Sequence, residues 1–173
     1  MQSQQRALAI INQEQLALYY GIGRFVSVNT RNKNWGTGFI EAISEQLRKE
    51  LPGLRGFSAA SLRKMRTFYE EWQMLSDNSF VETNNLISEK HNSFVGTNEL
   101  PTVQFKIDAN FPIAAFMDIG FTHHYVIISK VKDTEQRKFY IQFVADTKAK
   151  VEDLERMIND DLYSHQGLSL IHI

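Results

Sequence analysis

The sequence predicts a mainly α-helical domain, and three observations lead there. Apolar residues recur at three- and four-residue spacing through most of the 173 residues. Helix start and stop residues punctuate those runs: Ser58 and Asp133 as caps, Pro52 and Gly53 as terminators. Clean apolar–polar alternation is confined to one short stretch, VQFKI at 103–107. Apolar content of 43% and charged content of 23% are ordinary for a soluble globular chain of this length.

From Gln4 to about Val28, Leu8, Ile11, Leu18, Ile22 and Phe25 recur at helical spacing, supported by Tyr19 and Val26. Gly21 and Gly23 interrupt this pattern, each at about 1 kcal/mol relative to Ala in a helix. Close approach of another helix is the favoured reason. A phosphate-cradling loop is disfavoured, because GIG follows no strand and has no further glycine in register. The polar run 29–36 reads as a turn.

A helix–turn–helix-like unit is predicted over about 37–75. Thr37 can cap a helix from Gly38 to about Leu51, with Phe39, Ile40, Ile43, Leu47 and Leu51 on one face. Ser58 can cap the next, from 59 to about 75, whose apolar stripe is Leu62, Met65, Phe68, Tyr69 and Trp72. Residues 77–111 change character. They hold six asparagines, and NSFVETNN (78–85) is echoed by NSFVGTNE (92–99). Two copies are too few for a solenoid, so this reads as an irregular insertion.

Residues 116–131 are rich in apolar and β-branched side chains and fit either a buried helix from Thr122 or a strand. Asp133 with Gln136 starts a helix over 134–147 in the manner of a capping box. A further helix, about 150–162, places Val151, Leu154, Met157, Ile158 and Leu162 on one face. The domain therefore covers 1–167, and 168–173 is a tail.

Composition narrows the chemistry. Without cysteine, thiolate catalysis, disulfides and Cys-based zinc sites are excluded. No apolar run approaches the roughly 20 residues of a membrane helix, and the N-terminus lacks the layout of a signal peptide. A cytoplasmic protein is expected. His123 and His124 are adjacent, which suits neither face of a zinc helix; one is expected in the core and one exposed near a helix start. Asp118 followed by Asp146-Thr147-Lys148 matches the spacing of a nuclease magnesium site, but Asp146 and Lys148 fall at a helix end instead of on a strand. No catalytic residue and no metal ligand is assigned.

What remains is a local concentration of charge. The net charge is only −1, yet Arg48, Lys49, Arg55, Arg63, Lys64 and Arg66 face one acid, Glu50, in the span they bound. Basic residues at the start of a second helix suit phosphate neutralisation, with hydroxyls to approach a groove. The candidate DNA-binding residues are Arg55, Ser58, Ser61, Arg63, Lys64, Arg66 and Thr67. The alternative is that these side chains merely solvate a helix face.

LALYYGIGRFV (16–26), NWGTGFIEAISEQLRKELPGLRGFSAASLRKMRTFYEEW (34–72), FTHHYVIISKVKDTEQRKFYIQFV (121–144) and DLYSHQG (161–167) together resemble the N-terminal domain of the YhcG-like family. The match covers most of the chain outside 77–110. It departs at 146–153, where DTKAKVED replaces a segment that often carries a Trp-Ser pair. The resemblance implies a helical, non-catalytic domain that precedes a C-terminal domain similar to PD-(D/E)xK nucleases, absent here. Magnesium would belong to that nuclease domain, and no cofactor is expected in this chain. Implied partners are duplex DNA, the C-terminal nuclease domain and a second copy in a homodimer, with no membrane. The competing reading is an oligomerisation or docking domain that never touches DNA, acting through Leu62–Trp72 and Phe139–Val144.

Overall fold

The longest element, α1 (Gln2–Arg31), carries a glycine notch that decides how the other helices stack. The computed structural model of the protein describes residues 2–31, 38–50, 52–53, 55–73 and 111–166. After α1 come α2 (Phe39–Glu50), α3 (Ala59–Trp72), α4 (Ile113–Asp118), α5 (Phe121–Lys130), α6 (Thr134–Thr147), α7 (Val151–Asn159) and α8 (Leu162–Gln166). No described residue lies in a strand, so the fold is all-helical among the described residues. The Thr37 cap, the 103–107 strand, the tail at 168–173 and all of the insertion except Phe111 lie outside them.

Several boundaries differ from the sequence reading for local reasons. The run 29–36 does not begin as a turn: α1 continues to Arg31. Asn29 Nδ2 donates to the Phe25 carbonyl at 2.7 Å, and Thr30 Oγ1 donates to that of Val26 at 2.7 Å, so these polar residues complete the last turn. The ambiguous segment 116–131 is helical, but Ile119 and Gly120 split it into α4 and α5. The helix expected over 150–162 stops at Asn159, and Asp161 turns the chain into α8 with a left-handed φ of 50°. The Asp133 cap forms as read, with its carboxylate accepting the Gln136 N–H at 2.9 Å.

Packing centres on α3. It lies against α1 in the most extensive helix pair, and also touches α2 and α5. Gly23 makes the first of these contacts possible. A β-carbon there would sit 2.0 Å from the Met65 carbonyl oxygen and 2.9 Å from the Tyr69 β-carbon. Gly21, by contrast, has nothing within 4 Å of the space a β-carbon would fill. Close helix approach therefore explains one of the two glycines.

The same contact selects the buried face of α1, and it is not the stripe that periodicity suggests. Leu16, Tyr20, Val26 and Ser27 are buried, and Ile22 and Tyr19 are half-buried. Leu8, Ile11, Leu18 and Phe25 stand 66%, 63%, 41% and 53% exposed. Four of the five residues that recur at helical spacing thus face outward, while Val26 is buried and Tyr19 half-buried.

Two apolar clusters result. A smaller one, Val26, Ile40, Leu62 and Met65, lies under the α2–α3 hairpin. The larger joins Leu16 and Tyr20 of α1, Phe68 and Trp72 of α3, and buried residues of α4 to α7. At its centre Phe116, Phe68 and Trp72 surround His124, with ring centroids 4.2, 5.4 and 6.2 Å away. His124 is fully buried and places Nε2 2.8 Å from the Phe116 carbonyl, so that nitrogen carries the proton and donates. Nδ1 has no hydrogen-bond partner, which suits an uncharged ring. Asn12 of α1 donates to the carbonyls of Met117 and Ile119 at 2.8 and 3.1 Å. Side chains from two neighbours therefore satisfy the carbonyls that so short a helix as α4 leaves open.

Arg137 of α6 ties the hairpin to the C-terminal helices. It is 4% exposed, donates from Nε to the Val131 carbonyl at 2.8 Å and from Nη2 to Glu71 of α3 at 2.6 Å, and lies over the Trp72 ring at 5.6 Å. Its charge is buried but fully engaged.

Two outcomes follow. Burial pushes the His124 imidazole down to about 3, only partly opposed by its bond to Phe116. The unfolded chain takes up this proton near pH 6.5 and the folded one does not, so stability falls as pH drops through that window, by about 1.4 kcal/mol per pH unit. Urea unfolding at pH 7 and pH 5 checks this, and His124→Gln, which keeps a donor but does not titrate, flattens the slope. Glu71→Ala leaves the Arg137 cation buried without its counter-ion and should cost about 3 kcal/mol in the same assay. Partial exposure of Glu71 keeps the loss at that lower end of the range for broken buried pairs.

Candidate nucleic-acid interface

The hairpin that carries the basic residues is built from both helices and the connection between them. Ser58 has extended backbone and accepts the Ser61 N–H on its hydroxyl at 3.2 Å, capping α3 as read from the sequence. The two hydroxyls are themselves 3.0 Å apart. Ser44 of α2 donates to the Phe57 carbonyl at 2.9 Å and pins the connection to the helix it left. Phe57 packs edge-on to Tyr19 of α1. Residues 51–58 separate α2 from α3, longer than the roughly 3–4-residue turn of DNA-reading helix–turn–helix units. Gly53 and Gly56 hold φ of 97° and 92° there, a region that favours glycine.

The seven predicted residues divide by exposure. Arg55, Ser58, Arg63 and Lys64 are exposed, whereas Ser61, Arg66 and Thr67 are half-buried. The cations do not converge on one point. Arg63 pairs with Glu41 of α2, each side chain about half exposed. Lys64 places Nζ 4.9 Å over the Tyr125 ring of α5. Arg66 leans towards Glu70 at 3.9 Å, too far for a hydrogen bond, while Glu70 accepts the Ser27 hydroxyl of α1 at 2.7 Å. Thr67 donates to the Arg63 carbonyl at 3.1 Å, back along its own helix.

The acids beside these cations are what the linear span hides. Glu41 meets Arg63 across 22 residues, and Glu45 pairs with Lys49 at 3.1 Å. The Glu41 carboxyl is held below the usual carboxylate range, first by its own backbone N–H and then by Arg63. These ion pairs are open to solvent, where screening leaves them weak, so a phosphate can displace the carboxylate at little cost. The Glu45–Lys49 pair was readable as an i, i+4 neighbour; Glu41 opposite Arg63 was not.

Elsewhere the described residues hold little chemistry. Asp118 and Lys148 form an ion pair, but between the ends of α4 and α6, with Lys148 in the left-handed position that closes α6. Asp146 accepts from Gln142 at 2.9 Å. The nuclease-like spacing thus brings two of its members together without a strand to carry them. No group of three or more metal-ligating side chains gathers among the described residues. A shallow cleft bounded by Gln15, Tyr19, Phe121 and His123 offers one titratable imidazole, and its Nε2 lies 3.1 Å from the Ala149 carbonyl. His123 is half-buried instead of exposed, and His124 occupies the core as expected. No helix among the described residues is long and apolar enough to cross a membrane.

The helices named for docking turn most of their apolar side chains inward. Leu62, Met65, Phe68 and Trp72 of α3 are buried, as are Tyr140, Ile141 and Val144 of α6. Phe139 meets Phe143 at a tilt and Tyr163 edge-on within the chain, with ring centroids 6.1 and 5.4 Å away. Most of the apolar surface of those two helices is thus spent on packing within the chain, and Tyr69, Phe139 and Phe143 remain half-buried.

These features define an all-helical domain without an assembled active site among its described residues. A family model described as the DUF1016 N-terminal domain matches residues 1–165, and the chain belongs to that family. No curated protein and no solved structure matched the chain.

Proposed function

We propose that this DUF1016 N-terminal domain is a non-catalytic targeting module that meets duplex DNA along the outer surface of the α2–α3 hairpin. The observation that carries this reading is the exposure of Arg55, Ser58, Arg63 and Lys64 around the first half of α3. Lys64 and Arg55 would neutralise phosphates directly, and Arg63 would exchange Glu41 for a phosphate oxygen. Ser58 and Ser61, already at the helix start, add hydroxyl donors. Arg66 and Thr67 are assigned supporting roles, since each is half-buried and turned to its own helix. The nuclease domain that the resemblance implies would supply the cutting and any magnesium.

Three available cations make a weak, strongly salt-dependent contact. Fluorescence anisotropy with a duplex oligonucleotide across a salt series should give a slope of log K against log salt near −3, about −0.9 per phosphate neutralised. Arg55→Ala/Arg63→Ala/Lys64→Ala should weaken low-salt binding by about tenfold or more. Glu41→Gln should strengthen it several-fold, because it removes a repelling carboxylate and frees Arg63. No affinity at low salt, or a triple variant that binds like the parent, rules the reading out.

A further inference from the structure

Among the described residues, every large hydrophobic side chain that stands exposed lies on one helix, α1: Leu8, Ile10, Ile11, Leu18, Phe25 and Val28. Ile11, Leu18 and Phe25 repeat every seven residues, so at 100° per residue they drift by only about 20° per step. That azimuth is nearly opposite the face on which Leu16, Tyr20 and Gly23 pack against the rest of the domain. The helix therefore has two apolar faces, one packed within the chain and one largely open, although Phe25 at its end meets the Phe39 ring of α2 at 6.4 Å.

We propose that the outward face of α1 is a self-association seam, on which a second copy of this chain seats its own α1 in antiparallel register centred on Leu18. Three features select this occupant. The spacing is self-complementary: with Leu18 opposite Leu18, Ile11 of each copy falls opposite Phe25 of the other, as an isologous two-fold contact requires. Gly21 lies on the same face with open space above it, so a partner helix can approach closely at a position that no contact among the described residues explains. The area is also of the right order. At 41% to 66% exposure the six side chains leave on the order of 100 Å² each in water. That makes about 600 Å², against roughly 800 Å² per partner in a standard interface. Charge does not oppose the match, since Glu14 is the one acid near this azimuth and no Lys or Arg lies along it between Ile10 and Phe25. A two-helix seam this short would not hold on its own, but each α1 is already fixed by its packing on α3, which removes the cost of ordering it.

The inference is independent of DNA contact and is tested without DNA. Sedimentation velocity of the 173-residue chain from low to high micromolar concentration should show a monomer–dimer equilibrium. Leu18→Glu should weaken it by about tenfold or more with helical circular dichroism unchanged. The absence of cysteine allows a second measurement that leaves most of the apolar face in place. Under mild oxidation Leu18→Cys should link to itself. Ile11→Cys should link to Phe25→Cys when the two chains are mixed, while neither links alone. A strict monomer, a dimer indifferent to Leu18→Glu, or Ile11→Cys linking to itself would each overturn the proposal. So would a monomer whose Leu18→Cys thiol resists maleimide, since another part of the chain would then cover the face.

Discussion

The fold depends on a backbone-to-backbone approach. Where α1 crosses α3 there is no room at position 23 for any side chain, because the Met65 carbonyl occupies the space that a β-carbon would need. A glycine inside a helix is ordinarily a loss of about 1 kcal/mol, and here it is offset by the most extensive helix contact among the described residues. Tyr20 can then reach Phe68 and Tyr69 edge-on, and Val26 can reach the cluster with Ile40 and Leu62. Because α1 is drawn down on that side, its opposite side is lifted clear of the core. The inward notch and the outward apolar face are two consequences of one crossing.

Polar groups then fix what apolar packing alone would leave loose. The short α4 is held by Asn12 from α1 and His124 from α5, each satisfying a carbonyl at its C-terminal end. Arg137 joins α6 to α3 through Glu71 while also closing the end of α5 through the Val131 carbonyl. Such buried, satisfied contacts are directional, and they specify one arrangement of helices among the many that an apolar core would tolerate.

Local signals were legible and tertiary ones were not. Asp133 located the start of α6 and Ser58 the start of α3, because each cap is a contact within four residues. The quoted stretches also led to the family that the chain belongs to. Periodicity found α1 but not its buried face, because the outward residues Ile11, Leu18 and Phe25 recur more regularly than the inward ones. The true contact face is marked by a glycine and a buried serine, which hydrophobic periodicity scores as gaps. The electrostatic reading of the hairpin had the same weakness. Glu41 stands outside the basic span, 22 residues from Arg63 in sequence and beside it in space. Charge clusters read along a chain omit the acids that the fold brings back.

Two glycines two residues apart in one helix offer the most direct test of this account. Chemical unfolding of Gly23→Ala and Gly21→Ala, at a concentration low enough to keep the chain monomeric, compares a position where α3 leaves no space with one that meets nothing. Gly23→Ala should lose about 3 kcal/mol or fail to fold, as severe overpacking does. Gly21→Ala should gain about 0.5–1 kcal/mol from helix propensity. Equal stabilities for the two variants would contradict the claim that the α1–α3 crossing organises the domain.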